Sequence, residues 1–281
     1  MKKQKEKIRG SIKENIKLMS TPLMSILPGQ ISFFVILSAI PLISLLVMFA
    51  SKLSLNFDAV TGFINHYLPS GVASLILSVF EQQKVGTIDI LFIITAFYIA
   101  AKATHSIIIA STQIYNGKQK DFFRTRIKAI IMLAILIFLV LSSIGILTLG
   151  TRIIIYVSEV GGTISPYVTM IYNIIKWPFV LFMIFIGIKI IYTIAPNVQI
   201  PSSSVNKGAL FTTIVWGITT FVYTFYVTNL ANYTKFYGNL SNLIILMIWI
   251  YWMSYVFVLG MTMNEYKLNA VKIEDKIKSL E

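Results

Sequence analysis

Polar side chains fall on one face of a strongly apolar stretch near the first third of the chain, within about 120° of arc at helical spacing. They are Thr95, Tyr98, Lys102, His105, Ser106, Thr112, Gln113 and Asn116. Lys102 supplies a positive charge toward the inner half of the membrane, and His105 supplies a hydrogen-bond donor or a titratable neighbour one turn further along. Because no Asp or Glu shares this face, the pattern favours an anionic ligand in a hydrated cavity.

The same residues have a second interpretation, which stays open. Lys102 could extend its ammonium toward the membrane surface while its methylene stem stays in apolar surroundings. The hydroxyl groups would then bond to neighbouring helices and only hold the bundle together.

A second apolar stretch, at residues 208–230, also carries a polar face. Aromatic residues near a membrane surface are ordinarily anchors, but Trp216 and Thr219 are predicted to lie deeper than an anchor needs. Two polar faces in one bundle predict an amphipathic interior path. Its predicted lining residues are Lys102, His105, Ser106, Gln113, Trp216, Thr219, Tyr223 and Tyr226.

Motifs of enzyme chemistry are missing from the sequence. There is no phosphate-binding glycine loop, no metal-ligand spacing and no Ser/His/Asp set. The two histidines, His66 and His105, belong to different regions, and Asp89 lies only at the edge of an apolar run. We therefore predict no catalytic residues, no metal and no cofactor, and we expect the chain not to be an enzyme.

Composition places the chain in the membrane. Of 281 residues, 56% are hydrophobic and 12% are charged, with a mean hydropathy of +0.78, whereas soluble proteins carry about 25% charged residues. The net charge of +13 is concentrated at the ends of apolar runs, which favours anionic lipid headgroups over nucleic acid as partners. There are no cysteines, and no polar linker divides residues 1–281, so we predict a single membrane domain.

Six segments are long and apolar enough to cross a bilayer. They are residues 31–50, 88–110, 128–152, 174–195, 208–230 and 240–264. Pro41 should kink the first of them because proline removes a backbone hydrogen bond. Eighteen Lys and Arg residues fall on the side of the termini and five on the other, which predicts that both termini are cytoplasmic.

Segments outside the spans are also predicted to contact the membrane. The first apolar run lacks a small-residue cleavage site, so we expect it to remain as a span. Residues 1–27 form the predicted cytoplasmic arm, with an amphipathic surface helix at 4–19, residues 28–264 form the bundle, and 265–281 form a cytoplasmic tail. Short helices at 60–68 and 72–80 are expected on the outer face.

A family resemblance rests on residues spread over most of the chain. The first span, from Pro28-Gly29-Gln30 to Ile40-Pro41, and Leu68-Pro69 and Arg124-Thr125-Arg126 are part of it. The C-terminal third contributes Ala195-Pro196, Gly208, Trp216, Tyr226, Asn229, Tyr233, Tyr237-Gly238, Trp249-Ile250-Tyr251 and Gly260. From about residue 20 to 266 the chain resembles the YihY/BrkB family of bacterial inner-membrane proteins. One departure is Thr262, which stands where the family usually has a carboxylate, so any role of that acid does not transfer here.

The resemblance implies six spans with both ends inside, which agrees with the charge count, and it suggests a role in envelope and lipid biology. Family members have been labelled as virulence-associated proteins and as a ribonuclease, but the residues of this chain do not support nuclease chemistry.

We therefore predict an all-α polytopic protein of the bacterial cytoplasmic membrane, with about six transmembrane helices, both termini cytoplasmic, and amphipathic surface helices. The leading functional hypothesis is transport or flipping of an amphiphilic, anionic lipid-like molecule, with membrane lipids and other envelope proteins as partners. A non-transporting scaffold or envelope-assembly factor is the alternative, and a small-solute channel is the third. The sequence does not predict an oligomeric state.

Overall fold

The computed structural model describes residues 21–52, 61–62, 65, 77, 90–160, 166–229 and 240–278. Within these ranges lie six long helices: α1 (Pro22–Lys52), α2 (Ile90–Ile114), α3 (Phe122–Val160), α4 (Pro166–Ile194), α5 (Asn206–Asn229) and α6 (Leu240–Lys278). Each contains an apolar stretch of at least 18 residues, the length that a membrane-crossing helix needs. The predicted all-α class with six spanning helices is confirmed, while the orientation of the termini stays a prediction.

Several helices are longer than the spans predicted from the sequence. α1 begins at Pro22 rather than near residue 31, because a proline in the first turn loses no helical hydrogen bond. α6 continues to Lys278, through most of the segment predicted as a tail. Hydropathy measures only the apolar part of a helix, whereas the backbone hydrogen bonds continue into polar sequence.

Other sequence predictions fall where the structure gives little or no description. The predicted surface helix at 4–19 lies outside the described residues, and the predicted helices at 60–68 and 72–80 lie almost entirely outside them. Pro41 is inside α1, which continues on both sides of it, so the kink stays a prediction.

The six helices form a closed ring. Each helix packs against the next one along the chain, and α6 returns to pack against α1. Smaller contacts join α2 to α6 and α1 to α3. In this order, α2 and α5 occupy opposite positions, so the two predicted polar faces belong to helices across the ring from each other.

Burial is uneven along the bundle. We call the end that carries the connections 115–121 and 195–205 the packed end. In α4, α5 and α6 the buried side chains concentrate in the ranges 187–195, 205–213 and 254–264, all at the packed end. Toward the other end, Tyr223 is the only buried residue among the described side chains of these three helices. The distribution of Lys and Arg predicts that the packed end faces the cytoplasm.

At the packed end α5 and α6 come into backbone contact through two glycines. A Cβ atom added to Gly208 would overlap the carbonyl oxygen of Gly260 and the side chain of Asn264. The Gly208 amide donates a hydrogen bond to Asn264 Oδ1 at 2.8 Å, and Asn264 Nδ2 donates to the Val205 carbonyl at 3.2 Å. Small residues allow such close approach, and the asparagine amide then bonds across the two helices.

Tyr192 ties α4 to the same contact. Its side chain is fully buried, and its hydroxyl donates to the Phe257 carbonyl at 2.6 Å while lying 2.8 Å from Thr212 Oγ1. A Cβ atom on Gly260 would lie 2.7 Å from this hydroxyl oxygen. One buried polar cluster therefore joins three helices at the packed end.

Candidate functional site

Lys102 occupies the middle of α2. It lies twelve positions from either end residue of the helix, which corresponds to about 18 Å in each direction. Its side chain is half-buried, and within the described part of the chain its ammonium makes no hydrogen bond or ion pair. An unpaired cation at the centre of an apolar helix is the feature of this molecule that most needs a physical explanation.

The face of α2 that carries Lys102 is its exposed face. Leu91 on this face is 64% exposed, and Tyr98 is also exposed. The opposite face packs into the bundle and includes the small, buried residues Ala96 and Ala100. The polar face of α2 is therefore exposed at Leu91 and Tyr98, whereas Ser106 and Thr112 further along it are buried.

The other predicted residues of α2 differ in their surroundings. Gln113 is exposed, whereas Ser106 is 1% exposed and its hydroxyl has no hydrogen-bond partner among the described residues. Thr112 is buried and donates to the carbonyl of Ile108 in its own helix at 2.7 Å. Asn116 lies beyond the helix end at Ile114, in a turn with a φ of 50°, so its assignment to the helical face was wrong.

The first turns of α3 lie along the same face of α2. The guanidinium of Arg126 lies over the Tyr98 ring, 3.9 Å from its centroid, and its Nη2 donates to the Tyr98 carbonyl at 2.6 Å. One turn earlier on α3, the Phe122 ring meets the His105 ring edge to face, with centroids 6.2 Å apart. Lys102 lies between Tyr98 and His105 on α2, so these two contacts with α3 lie on either side of it.

Arg126 is a site residue that the sequence reasoning missed. It is only 8% exposed, and its Nε is buried without a hydrogen-bond partner among the described residues. The one ion pair of the described chain joins Arg124 to Asp121 at 3.9 Å and is exposed to solvent, so it leaves Arg126 without a carboxylate. In the sequence Arg126 supports only the orientation and the family resemblance, although an arginine beside an apolar run is itself a signal of a site.

The polar face of α5 packs against α6. Trp216 Nε1 donates to the Met253 carbonyl at 2.9 Å, and the indole stacks on Phe257 at 6.1 Å between centroids. Tyr223 is buried, with its ring 5.5 Å from that of Trp249. Thr219 and Tyr226 are half-buried. Since α2 and α5 lie across the ring, the structure does not bring the two predicted sets of residues into one contact.

Lys128 is a second cation that sequence reasoning used only for orientation. Its Nζ donates to the carbonyls of Ala195 and Pro196 at 2.8 and 2.9 Å and to Asn197 Oδ1 at 3.0 Å. These acceptors follow the last residue of α4, where a cation is favoured by the helix dipole. All three donors of the ammonium have partners, so Lys128 stabilises the connection after α4.

Two cavities lie away from the α2 face. One, of about 470 Å³, is an apolar groove between α1 and α6 lined by Ser32, Phe33, Ile36, Leu37, Met247, Ile248 and Tyr251. The other, of about 370 Å³, lies at the packed end and is lined by Lys120, Thr193, Ile194 and residues 196–200. Within the described ranges, no three His, Asp or Glu side chains are grouped to hold a metal ion.

Comparison with known proteins gives the family. The "Putative ribonuclease-like protein YfkH" of Bacillus subtilis (strain 168) is 28% identical over 255 residues, which cover 88% of this chain and 91% of that protein. The "UPF0761 membrane protein YihY" of Escherichia coli O1:K1 / APEC is 27% identical over 103 residues, 35% of each chain. The "UPF0761 membrane protein Ent638_4092" of Enterobacter sp. (strain 638) is 28% identical over 103 residues, again 35% of each.

No solved structure matches the chain. The family model described as "Virulence factor BrkB" matches residues 23–279, which is nearly the whole sequence. The chain therefore belongs to the BrkB family of membrane proteins, as its resemblance to YihY and BrkB implied.

Proposed function

We propose that the protein moves an amphiphilic, anionic lipid-like molecule across the membrane, with the headgroup passing along the polar face of α2. The observation that carries this proposal is the half-buried Lys102 at the middle of an apolar helix, on its polar face, with no hydrogen bond or ion pair among the described residues. A charge at this position is costly in hydrocarbon unless an opposite charge or water accompanies it. An anionic headgroup would supply the opposite charge while its acyl chains stay in the surrounding lipid.

The length of the polar face supports a path across the membrane. Thr95 and Gln113 are the first and last polar residues of this face that lie within α2. Their offset of 18 positions corresponds to about 27 Å of helix, close to the roughly 30 Å of the hydrocarbon core. A headgroup could therefore exchange one polar partner for the next over most of the distance.

Packing of the α5 residues supports a second candidate, the scaffold. The indole N–H of Trp216 donates a hydrogen bond to the Met253 carbonyl, and Tyr223 is buried against Trp249. These contacts stabilise the bundle whether or not anything is transported. A scaffold or envelope-assembly factor would need only this stability, and its α2 face would be available to another envelope protein.

The proposal assigns no catalytic role to the chain. The word "ribonuclease-like" belongs to the name of the Bacillus subtilis relative. Phosphodiester hydrolysis requires a positioned acid–base pair or metal ions. α2 contains no carboxylate that could form such a pair with His105, whose ring contacts the ring of Phe122.

The test is leaflet exchange of headgroup-labelled anionic and zwitterionic lipids in proteoliposomes. Lys102→Met is compared with wild type, with empty vesicles and with Lys189→Met, a matched control at another half-buried lysine in an apolar helix. We expect wild type and Lys189→Met to accelerate exchange of anionic lipids, and Lys102→Met to fall to the rate of empty vesicles. A helical circular dichroism spectrum checks the folding of each variant.

Three outcomes would count against this function. Exchange by wild type at the rate of empty vesicles for every lipid would reject unassisted flipping and favour the scaffold. A folded Lys102→Met variant as fast as wild type would reject the α2 path. Flux of a small solute without lipid exchange would indicate the channel.

A further inference from the structure

Arg126 carries a buried positive charge. Its guanidinium has a carbonyl and an aromatic ring as neighbours, and both of these belong to Tyr98. A carbonyl dipole and a π face reduce the cost of burying the cation, but neither carries the negative charge that would neutralise it. With Nε buried and unpartnered as well, the guanidinium is incompletely satisfied among the described residues.

Lys102 and His105 are two further donors near Arg126. Tyr98, Lys102 and His105 recur at spacings of four and three residues, so they share one face of α2. Because Arg126 contacts Tyr98 and Phe122 contacts His105, the start of α3 runs past Lys102. Two cations and an imidazole are thus gathered where α2 meets α3, and the described chain provides no acid among their contacts.

We infer that Arg126, Lys102 and His105 together bind a phosphate oxyanion. This inference rests on the proposed function only in that the ligand must reach the exposed face of α2. Lys102 and His105 are half-buried and can be reached from that face, whereas Arg126 is buried and would meet the ligand through the 8% of its surface that is exposed. The phosphate would provide the negative charge that the cluster lacks.

The donor set fits phosphate better than a carboxylate. The planar guanidinium donates from a fork that matches two oxygens of one phosphate, and the lysine ammonium is a point charge that suits a third. A phosphomonoester carries between one and two negative charges near neutral pH, which corresponds to the charge of the two cations. A lipid headgroup with a terminal phosphate and free inorganic phosphate share this chemistry.

Binding is measured separately from transport, with the full-length protein in nanodiscs. Phosphatidic acid is titrated as the phosphomonoester lipid, phosphatidylcholine as the zwitterionic lipid, and inorganic phosphate as the free ion. Arg126→Lys keeps the charge but loses the fork, and Arg126→Gln removes the charge as well. Arg124→Gln is the matched control, since Arg124 is exposed and lies only two residues away.

We expect wild type and Arg124→Gln to bind phosphatidic acid more tightly than phosphatidylcholine. Arg126→Lys should weaken phosphatidic acid binding by about tenfold or more, as the loss of a hydrogen bond to a charged group does. Competition by inorganic phosphate would identify the free ion as a ligand, and its failure to compete would identify the lipid headgroup. Equal binding of phosphatidic acid by wild type and a folded Arg126→Lys, or no preference of wild type for phosphatidic acid, would overturn the inference.

The same preparations separate this inference from the proposed function. If Arg126→Lys loses no affinity while leaflet exchange still depends on Lys102, the phosphate site is wrong and the lipid path stands. If wild type binds phosphatidic acid through Arg126 but exchanges no lipid, the phosphate site stands and lipid flipping is wrong.

Discussion

Replacing Gly260 by alanine tests whether the packed end is held by backbone contact between α5 and α6. The added methyl group would overlap Thr212 Oγ1, and it would lie 2.7 Å from the Tyr192 hydroxyl oxygen and 2.9 Å from the carbonyl oxygen of Gly208. The carbonyl belongs to the backbone of a packed helix, and the hydroxyl belongs to a fully buried ring. Neither can rotate away, so the helices must separate.

The cost follows from three contributions. Overpacking a core costs about 1 to 3 kcal/mol, and loss of the two Tyr192 contacts adds about 0.6 kcal/mol for each in a membrane protein. Alanine in place of glycine within a helix stabilises the helix by about 1 kcal/mol, which offsets part of this cost. The net destabilisation is therefore about 1 to 3 kcal/mol, which corresponds to a fall in Tm of about 2 to 12 °C for a chain of this size.

The assay is thermal unfolding in detergent, followed by helical circular dichroism at one fixed scan rate, because unfolding can be irreversible. Gly145→Ala is the matched control. Gly145 is also a glycine inside an apolar helix, but a Cβ added to it has no atom within 4 Å. We expect this variant to keep the Tm of wild type or to raise it slightly.

A Gly260→Ala variant with a Tm equal to that of Gly145→Ala would refute the reasoning. Such a result would mean that α5 and α6 are farther apart than the structure places them, or that they shift without cost.

Three further predictions use the same melting experiment. Tyr192→Phe should cost about 1 kcal/mol because it removes both hydroxyl contacts, to the Phe257 carbonyl and to Thr212 Oγ1. Tyr115→Phe should cost nothing, because that hydroxyl is buried without a partner among the described residues. Burial also raises the pKa of Tyr115, so the neutral phenol contributes stability below the ordinary pKa of about 10, and this contribution is lost as the pH rises above it. Wild type should therefore lose more stability than Tyr115→Phe between about pH 9 and 11. Equal losses by the two proteins would contradict this. Lys128→Met removes the donor to three oxygens after α4 and should cost about 1 to 3 kcal/mol of unfolding free energy. Lys189→Met, the control, should cost less. An equal cost of the two substitutions would show that the three hydrogen bonds contribute nothing.

The helices could be predicted from the sequence because each is a long apolar run, and that signal is local. The family could be predicted as well, since residues such as Pro41 and Trp216 occur in a recognisable order, and the match of the family model over residues 23–279 confirms it. The start of α1 at Pro22 and the end of α6 at Lys278 were missed because helices continue past the apolar run that reveals them.

The contacts between helices could not be predicted in the same way. The pair Gly208 and Thr212 has the four-residue spacing of small residues that is typical of close helix packing, and this signal was available. Nothing in the sequence, however, pairs Gly208 with Gly260, because that contact depends on how two helices cross. Likewise, whether the polar face of α2 points inward or outward depends on its neighbours, and the structure places it on the exposed side of the helix.

The hydrogen bonds of Lys128 have a consequence for the order in which the protein is made. Asn197, the last of its partners, follows it by 69 residues in the chain. At roughly 5 to 20 residues per second, a ribosome needs on the order of 3 to 14 s to synthesise that length. During this interval the Lys128 ammonium has none of its final partners, so water must solvate it. The contact between the start of α3 and the connection after α4 can close only once the chain has been made through Asn197.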